Sequence, residues 1–421
     1  MTIASRSQKV AYSFSQFGIN MLWQSFNTVA VFYYVTVLHV SGVVLSSGMM
    51  LLGVMSALLN LVAGHLSDRT NTRHGRRIPY IMVASLPFAV LFLLLFHPFI
   101  SRDYLVYFFV VTFLFDLSFT LTTLNIEALY PEMYRMEAER SYVSAWQQFF
   151  GILGMVVGVA LVKPIAQICG WGTMGVLFSI IGALSMYASL YGAVENPQYR
   201  ETTFRMKQSI IETIKNTEFV IFVVVNVLVQ LATNMFVLLS SFYTKYVVAL
   251  SAIQGVAFLG ALFVVAIPVS FLWAKLSIHK TVVRATQLAA LGYGGISLLF
   301  LFDRNPILVI LTGLLLGIPV AGFLVLINVL LAEVIDVDAK NTGKRREGMY
   351  LGMNGLLVRL GMSLQYVIMA MFFSTSHFHP LVASDQVQVI WELRMLMGGL
   401  PVLLMLLVIW LLERMQSYRV I

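Results

Sequence analysis

Polar side chains recur at three- and four-residue intervals inside three long apolar segments of this 421-residue sequence. Successive residues of an α-helix turn by about 100°, so residues at this spacing share one face. Each set therefore predicts a helix with one polar face. The three sets are Gln16, Asn20, Gln24 and Asn27; Asp116, Thr120, Thr123 and Glu127; and Asn226, Gln230, Thr233 and Asn234.

Amides and hydroxyls form the hydrogen bonds that a hydroxyl-rich solute needs, because the two groups both donate and accept. Polar groups inside a membrane cost free energy, and they usually face a bundle interior or a water-filled cavity. Three aligned faces therefore predict a shared, water-lined cavity between two halves of the molecule. The alternative is that the same side chains only join neighbouring helices by hydrogen bonds.

Two opposite charges, Asp116 and Arg359, lie near the middle of two different apolar segments. A charged side chain at this depth costs about 2.5–3.5 kcal/mol on insertion scales, so each should have a partner or a function. We predict that they pair and then separate when substrate binds; a permanent structural salt bridge is the alternative. Glu127 lies nearer the cytoplasmic end, where a proton carrier, a substrate contact and a loop anchor all remain open.

Signatures of catalysis and metal binding are missing from the sequence. It contains neither a GxxxxGK[ST] phosphate loop nor an HExxH motif, and its one cysteine is Cys169. We therefore expect no ATP hydrolysis, no metal, no cofactor and no enzymatic activity. His377 and His379 could hold a metal on the outer face, but we favour interfacial histidines.

The composition indicates a membrane protein, since 59% of the residues are hydrophobic and 11% are charged, against about 25% charged in soluble domains. About 20 apolar residues in a helix span the hydrocarbon core, and lipid offers no partner to unpaired backbone groups. We predict an all-α membrane protein with twelve transmembrane helices, at 11–38, 43–66, 78–99, 104–129, 142–168, 173–193, 218–248, 256–276, 281–302, 306–331, 348–373 and 389–412.

The longest polar connection, 195–216, divides the chain into six-helix halves at 1–194 and 217–421 and suggests two repeats. Most of the 27 Lys and Arg residues then fall on the same side as both termini. The positive-inside rule places that side in the cytoplasm, so we expect a multi-pass protein of the cytoplasmic membrane. The net charge of +8 should meet anionic lipid headgroups, not nucleic acid.

Three glycines in the fifth segment also lie at helical spacing. Gly151, Gly154 and Gly158 are three and four residues apart. Small residues at this spacing allow two helices to approach closely. We predict a packing role for them and no bound ligand.

Three loop motifs resemble one known family. GHLSDRTNTRHGRRIPY at 64–80 is similar to the loop between helices II and III of the major facilitator superfamily, in the form found in glycoside–pentoside–hexuronide:cation symporters. ALYPE at 128–132 and AEVID at 332–336, the latter followed by TGKRREG at 342–348, resemble further motifs of that family. The resemblance covers both halves and implies the major facilitator fold, alternating access and cation-coupled uptake of a sugar.

The resemblance also assigns roles to residues. It implies a cytoplasmic gate of loop charges, because exposed ion pairs are weak enough to break in each cycle. The gate residues are Asp68, Arg69, Arg73, Arg76, Glu132, Arg140, Asp336 and Arg346. The polar faces and the family's sites together give these predicted substrate contacts: Asn20, Gln24, Asn27, Thr120, Thr123, Glu127, Gln148, Asn226, Gln230, Asn234 and Arg359. The solute is expected to be a small molecule bound by a monomer.

The sequence departs from the family where the coupling cation binds. The positions of two cation-binding aspartates fall on Ser56 and Asn60, and that of the sugar-stacking tryptophan falls on Glu127. Without a carboxylate pair this is a poor sodium site, since hard cations bind anionic oxygen. We therefore predict proton coupling through Asp116 or Glu127, with Asn60 at the cation position, or transport without coupling.

Two other functions stay open beside proton-coupled symport of a sugar or glycoside. A carrier of amphiphiles such as lysolipids, on the same fold, would need a lateral opening lined by apolar side chains, and the 30 Phe and 22 Met residues could line one. A membrane sensor or assembly protein that uses the fold as a scaffold would tolerate the loss of Asp116 and Arg359.

Overall fold

In the computed structural model of the chain, the regular secondary structure of the described residues is helical, apart from one isolated bridge between Thr72 and Gly75. The described residues are 5–70, 72, 75–99, 103–134, 137–193, 216–279, 281–342, 347–380 and 387–420. The chain divides into two compact units, Met1–Thr202 and Thr203–Ile421. Most of the predicted connection 195–216 lies outside the described residues.

The first unit begins with a capped helix. Ser5 accepts a hydrogen bond from the backbone of Gln8, and the Gln8 side chain accepts one from the backbone of Ser5, so two free N–H groups are satisfied. The helices of this unit are α1 (Arg6–Thr36), α2 (Gly42–Arg69), α3 (Ile78–Phe96), α4 (Tyr104–Met133), α5 (Glu137–Val156), α6 (Val162–Cys169) and α7 (Trp171–Gly192). A π-helical turn at Val157–Leu161 joins α5 to α6.

The described part of the second unit also begins with a side-chain cap, in which Asn216 accepts a hydrogen bond from the backbone of Phe219. Its helices are α8 (Thr217–Tyr246), α9 (Ala252–His279), α10 (Val282–Ser297), α11 (Pro306–Thr342), α12 (Glu347–Met362), α13 (Leu364–Thr375), α14 (Val387–Arg394) and α15 (Leu400–Val420). A 3-10 turn at Leu298–Leu301 extends α10, and a π-helical turn at Met395–Gly399 joins α14 to α15.

The two units repeat one pattern of helix neighbours. In the first unit α1 packs against α5 and α7, α3 packs against α4 and α7, and α2 packs against α4. In the second unit α8 packs against α12 and α15, α10 packs against α11 and α15, and α9 packs against α11. The six helices named in each unit correspond one to one, which supports the predicted repeat.

The first helix of each unit ends in the same turn. The carbonyl of Tyr33 accepts hydrogen bonds from the backbone of Val37 and Leu38, and the carbonyl of Tyr243 accepts them from Val247 and Val248. Each turn then contains a residue with positive φ, at 56° in the first unit and 52° in the second, in the left-handed region that commonly ends a helix. The shared turn gives α1 and α8 a common register.

The interruptions within three membrane helices could not be read from hydropathy. The predicted helix 142–168 contains a π-helical turn, 348–373 breaks at Ser363 between α12 and α13, and 389–412 contains a second π-helical turn. A buried arginine side chain lies at the last of these breaks. Arg394 donates hydrogen bonds to the carbonyl oxygens of Leu301 and Asp303, while a carboxylate oxygen of Asp303 accepts one from Thr312.

Within the described ranges, ten helical segments are long and apolar enough to cross a membrane. The first helix, α1, and the sixteen-residue α10 fall outside this set. The number twelve therefore stays a prediction. The predicted segment 306–331 is too short, because α11 continues to Thr342 through the more polar residues that follow the apolar run.

Candidate functional site

The amides of α1 are held along one helix face. The Nδ2 atom of Asn20 lies 2.8 Å from the carbonyl oxygen of Gln16 and 3.3 Å from its Oε1 atom. Asn27, which is 8% exposed, donates to the carbonyl oxygen of Trp23. Gln24 is partly buried on the same face. These side chains are ordered by their own helix, and each amide keeps further donors or acceptors for a ligand.

Helix α5 meets this part of α1 through the predicted glycines. A Cβ atom at Gly154 would overlap the carbonyl oxygen of Phe17, and one at Gly158 would lie 2.5 Å from that of Met21. The predicted close packing is confirmed. At Gly151 the same atom would lie 3.4 Å from Nδ2 of Asn20, so this glycine leaves room beside the polar face.

The π-helical turn of the first unit starts where α5 passes this face. Ser25 donates to the carbonyl oxygen of Met21 at 2.7 Å and to that of Gly158, inside the turn, at 3.3 Å. A π-helical turn adds one residue to a helix and is often found at functional sites. It moves the later residues of this helix out of the register that the sequence alone would give them.

The polar face of α4 is more varied in exposure. Thr120 and Thr123 are buried, Asp116 is partly buried, and Glu127 is exposed. Thr123 donates to the carbonyl oxygen of Phe119 at 2.9 Å. Hence the two acids have more solvent-accessible surface than the two hydroxyl residues of this face.

A pair of stacked aromatic rings brings the polar faces of α1 and α4 side by side. The rings of Trp23 and Phe119 lie 4.0 Å apart with an angle of 9° between their planes. Each ring stands at the edge of its helix's polar face, because Trp23 is within about 60° of Gln16 and Asn20, and Phe119 is within about 60° of Asp116. The stack was not predicted, since both residues look like ordinary apolar positions in the sequence.

In the second unit, α8 carries the third polar face. Asn234 donates to the carbonyl oxygen of Gln230 at 2.7 Å, as Asn20 does to Gln16 in α1. Asn226 is 3% exposed and donates to Oδ1 of Asn354 on α12 at 3.0 Å, which is an interhelical bond. Asn354 was not among the site residues predicted from the sequence.

Arg359 lies on α12, the helix that also supplies Asn354, and is partly buried. Asp116 belongs to the other unit, so the pairing of the two charges stays a prediction. Gln148 is exposed just past the middle of α5. No group of three or more His, Cys, Asp or Glu side chains in the described part of the chain is arranged to hold a metal ion.

The faces of α1 and α8 occupy equivalent positions in the two units. Counting back the same number of residues from Tyr33 and from Tyr243, whose carbonyls build the shared turn, reaches one set of amides in each unit. These sets are Gln16, Asn20 and Gln24 in the first unit and Asn226, Gln230 and Asn234 in the second. Three matched amides on these two helices indicate a role that both units share.

The predicted gate is described only in part. Arg76 is partly exposed beyond α2, and Asp336 is exposed near the end of α11. Between α2 and α3, Thr72 and Gly75 exchange two backbone hydrogen bonds, and Gly75 has φ 101°, which residues other than glycine rarely adopt. These predicted residues lie outside the side chains that the structure describes: Asn60, Asp68, Arg69, Arg73, Glu132, Arg140 and Arg346.

An ion pair that was not predicted lies at the same end of the first unit. Nζ of Lys9 on α1 is 2.6 Å from Oε1 of Glu139 on α5, and both side chains are mostly buried. Tyr134, just beyond α4, is also buried there. Its burial, and secondarily the negative charge of Glu139, raise the pKa of the Tyr134 phenol above its ordinary value. This cluster ties the ends of α1, α4 and α5 together.

Comparison with known proteins identifies the family to which the chain belongs. The family model described as MFS/sugar transport protein matches residues 11–417. A protein of Lactiplantibacillus pentosus described as an isoprimeverose transporter is 24% identical over 393 residues, which are 88% of this chain and 81% of that protein. The putative glycoside/cation symporter YagG of Escherichia coli (strain K12) is 24% identical over 174 residues, and this match spans 38% of its length.

A solved structure has the same fold. The bacterial homolog of the human lysosomal transporter Spinster, in an inward-facing and unoccupied conformation, superimposes with a TM-score of 0.73. The match covers 98% of both chains at 12% sequence identity. At this identity the likeness shows the fold alone.

Proposed function

Because the chain belongs to the MFS/sugar transport family, we propose that it is a proton-coupled symporter of a glycoside, working by alternating access. The observation that carries the proposal is the equivalence of the amide faces on α1 and α8. Amides at matched positions of two repeated units are what a transporter needs if each unit supplies half of a site for a hydroxyl-rich solute.

The substrate class follows from the relatives. One relative is described as an isoprimeverose transporter and another as a glycoside/cation symporter. We infer that a disaccharide or a glycoside of similar size is the solute, and isoprimeverose is the first probe to use. The resemblance to the family places two sugar-binding aspartates at positions that in this chain are Asn20 and Thr123. Their replacement by uncharged residues supports a pattern of sugar hydroxyls different from that of an ordinary galactoside.

The proposed substrate contacts are shared between the units. In the first unit they are Asn20, Gln24, Asn27, Thr120, Thr123, Glu127 and Gln148; in the second they are Asn226, Gln230, Asn234 and Arg359. Asn226 is buried against Asn354, so we propose that it contributes only after α8 and α12 shift. Asn27, Thr120 and Thr123 are buried as well and would act in the same way, by becoming exposed in another state of the transport cycle.

The coupling ion is proposed to be a proton. Ser56 and Asn60 provide no carboxylate on α2, whereas Asp116 and Glu127 provide two on one face of α4. A carboxylate that takes up a proton inside the membrane loses its charge, and the loaded carrier can then reorient at a lower electrostatic cost. We propose Asp116 or Glu127 as the carrier, with Asn60 as a neutral remnant at the family's cation position.

We further propose a monomer in the cytoplasmic membrane with both termini in the cytoplasm. The described helices are those of a multi-pass membrane protein, and the basic loops lie on the side of the termini. A catalytic role is not proposed, since the relatives are transporters.

The experiment measures isoprimeverose uptake by the purified protein in proteoliposomes, with either a proton or a sodium gradient imposed. We expect a proton gradient, acidic outside, to drive accumulation, and a sodium gradient to have no effect. Asp116→Asn and Glu127→Gln should identify the carrier, because the variant without it should exchange sugar across the membrane but no longer accumulate it. Glu392→Gln, outside the polar faces, is the matched control.

Two results would contradict the proposal. One is accumulation that requires sodium and ignores a proton uncoupler. The other is normal proton-driven accumulation by the double variant that lacks both acids. If isoprimeverose is not transported, a panel of xylosides, glucosides and galactosides tests the substrate class separately from the coupling ion.

A further inference from the structure

The indole N–H of Trp23 is a free donor within the described part of the chain. Among the described residues none accepts a hydrogen bond from its Nε1 atom, and that atom is not sealed in the interior. Trp23 lies near the middle of α1, at the depth where a free donor is most costly in hydrocarbon. Trp273 on α9 shows the usual solution, since its Nε1 donates to the carbonyl oxygen of Ile318 at 2.8 Å.

Trp23 lies on the same face of α1 as the amides. The side chain is within about 60° of Gln16, Asn20 and Asn27 around α1, so it belongs to the polar face. One side of the ring is covered by Phe119, in a stack with centroids 4.0 Å apart. Phe115 lies parallel at 6.2 Å and extends the same support.

We propose that Trp23 is a substrate-contacting residue whose indole N–H donates to a hydroxyl of the bound sugar. Phe119 fixes the ring plane, so the donor is already oriented before the sugar arrives and little side-chain entropy is lost on binding. Tryptophan is suited to this position because its ring packs as an apolar group while one edge can still donate. The inference rests on the proposed function, since it names a donor within the sugar site.

The position also accounts for a departure from the family. Glu127 on α4 occupies the place of the family's sugar-stacking tryptophan. Trp23 supplies an aromatic residue from α1, at the junction of the α1 and α4 faces. A site built this way gains a carboxylate at Glu127 without losing its aromatic wall, which changes the hydroxyl pattern that it accepts.

The test uses isoprimeverose counterflow by the full chain in proteoliposomes, because counterflow needs no ion gradient and is blind to a wrong assignment of the coupling ion. Trp23→Phe keeps a ring to stack on Phe119 and removes only the N–H. We expect its KM for isoprimeverose to rise about tenfold, the effect of losing one ligand hydrogen bond, with Vmax unchanged. Trp171→Phe is the matched control, since Trp171 stacks on Phe96 at the start of α7, away from the polar face.

Fluorescence gives a second readout that a purely structural role would not change. The chain has six tryptophans, and we expect isoprimeverose to alter the emission of the wild type and of Trp171→Phe but not that of Trp23→Phe. A wild-type KM together with the full sugar-dependent signal in Trp23→Phe would overturn this inference alone. If the wild type binds neither isoprimeverose nor any glycoside of the panel, the proposed function and this inference are overturned together.

Discussion

At the scale of single residues, the missing side chain of Gly154 sets the distance between α1 and α5. Any Cβ atom there would overlap the carbonyl oxygen of Phe17, which belongs to rigid helix backbone. The spacing of the three glycines was enough to predict this contact from sequence. It did not reveal the neighbour, because spacing marks the face of one helix and carries no information about its partner.

We predict that Gly154→Ala lowers the stability of the protein by about 1–3 kcal/mol, the usual cost of overpacking a close contact. Gly260→Ala on α9 is the matched control, since nothing lies within 4 Å of a Cβ atom at Gly260. There alanine should be neutral or stabilising by up to about 1 kcal/mol, because it is the better helix former. Thermal unfolding in detergent measures both; equal shifts for the two variants would contradict the packing described here.

Trp23 is a candidate site residue that could not be predicted from the sequence. The amides around it were found by their spacing, because polar residues stand out in an apolar helix. Trp23 did not stand out, since aromatic residues are common on every face of a membrane helix. Only the contact with Phe119, nearly a hundred positions away in sequence, shows that it lies at the junction of two polar faces.

At the scale of helices, hydropathy predicted where most membrane helices lie but not where they are interrupted. A π-helical turn exchanges one set of backbone hydrogen bonds for another, and its residues are as apolar as their neighbours. The turn at Met395–Gly399 is an example, with Gly398 packed against the carbonyl oxygen of Ser297. The break is determined by tertiary contact, which no pattern within one helix records.

Arg394 gives a test at the helix scale. It is 8% exposed and donates to two backbone carbonyls at the end of the 3-10 turn that follows α10. We predict that Arg394→Met lowers the free energy of unfolding by about 3 kcal/mol, since it leaves the carbonyl oxygens of Leu301 and Asp303 without their donor. Arg304→Met is the control, because Arg304 is exposed in the same loop and its loss should change little. Equal unfolding temperatures for the two variants would contradict this role.

At the scale of the whole molecule, the family and the all-α fold of the major facilitator superfamily were predicted from loop motifs and are confirmed by the family match and the solved structure. The loop motifs were informative because they are polar, specific in spacing and present in both halves. The repeat was suggested by the six-plus-six division. Its register became visible only when the shared turns after α1 and α8 aligned the amide sets.

The orientation of the chain in the membrane is a prediction about the whole molecule. Basic residues collect in the loops on the side of both termini, which should keep that side in the cytoplasm. We expect green fluorescent protein fused after Ile421 to fluoresce and alkaline phosphatase fused there to be inactive. The phosphatase inserted after Arg304, in the loop between α10 and α11, should be active. Active phosphatase at the C-terminus would overturn the assignment.

The central claim is that the amide faces of α1 and α8 line a hydrated path that takes up the sugar. Cysteine accessibility tests it most directly, in a Cys169→Ser background because Cys169 is exposed. Asn20→Cys and Gln230→Cys should react with a charged, membrane-impermeant thiol reagent, and isoprimeverose should protect both. Val224→Cys, on the exposed apolar side of α8, should stay unreactive. Failure of the two polar-face cysteines to react, or equal labelling of all three without protection by sugar, would contradict the account.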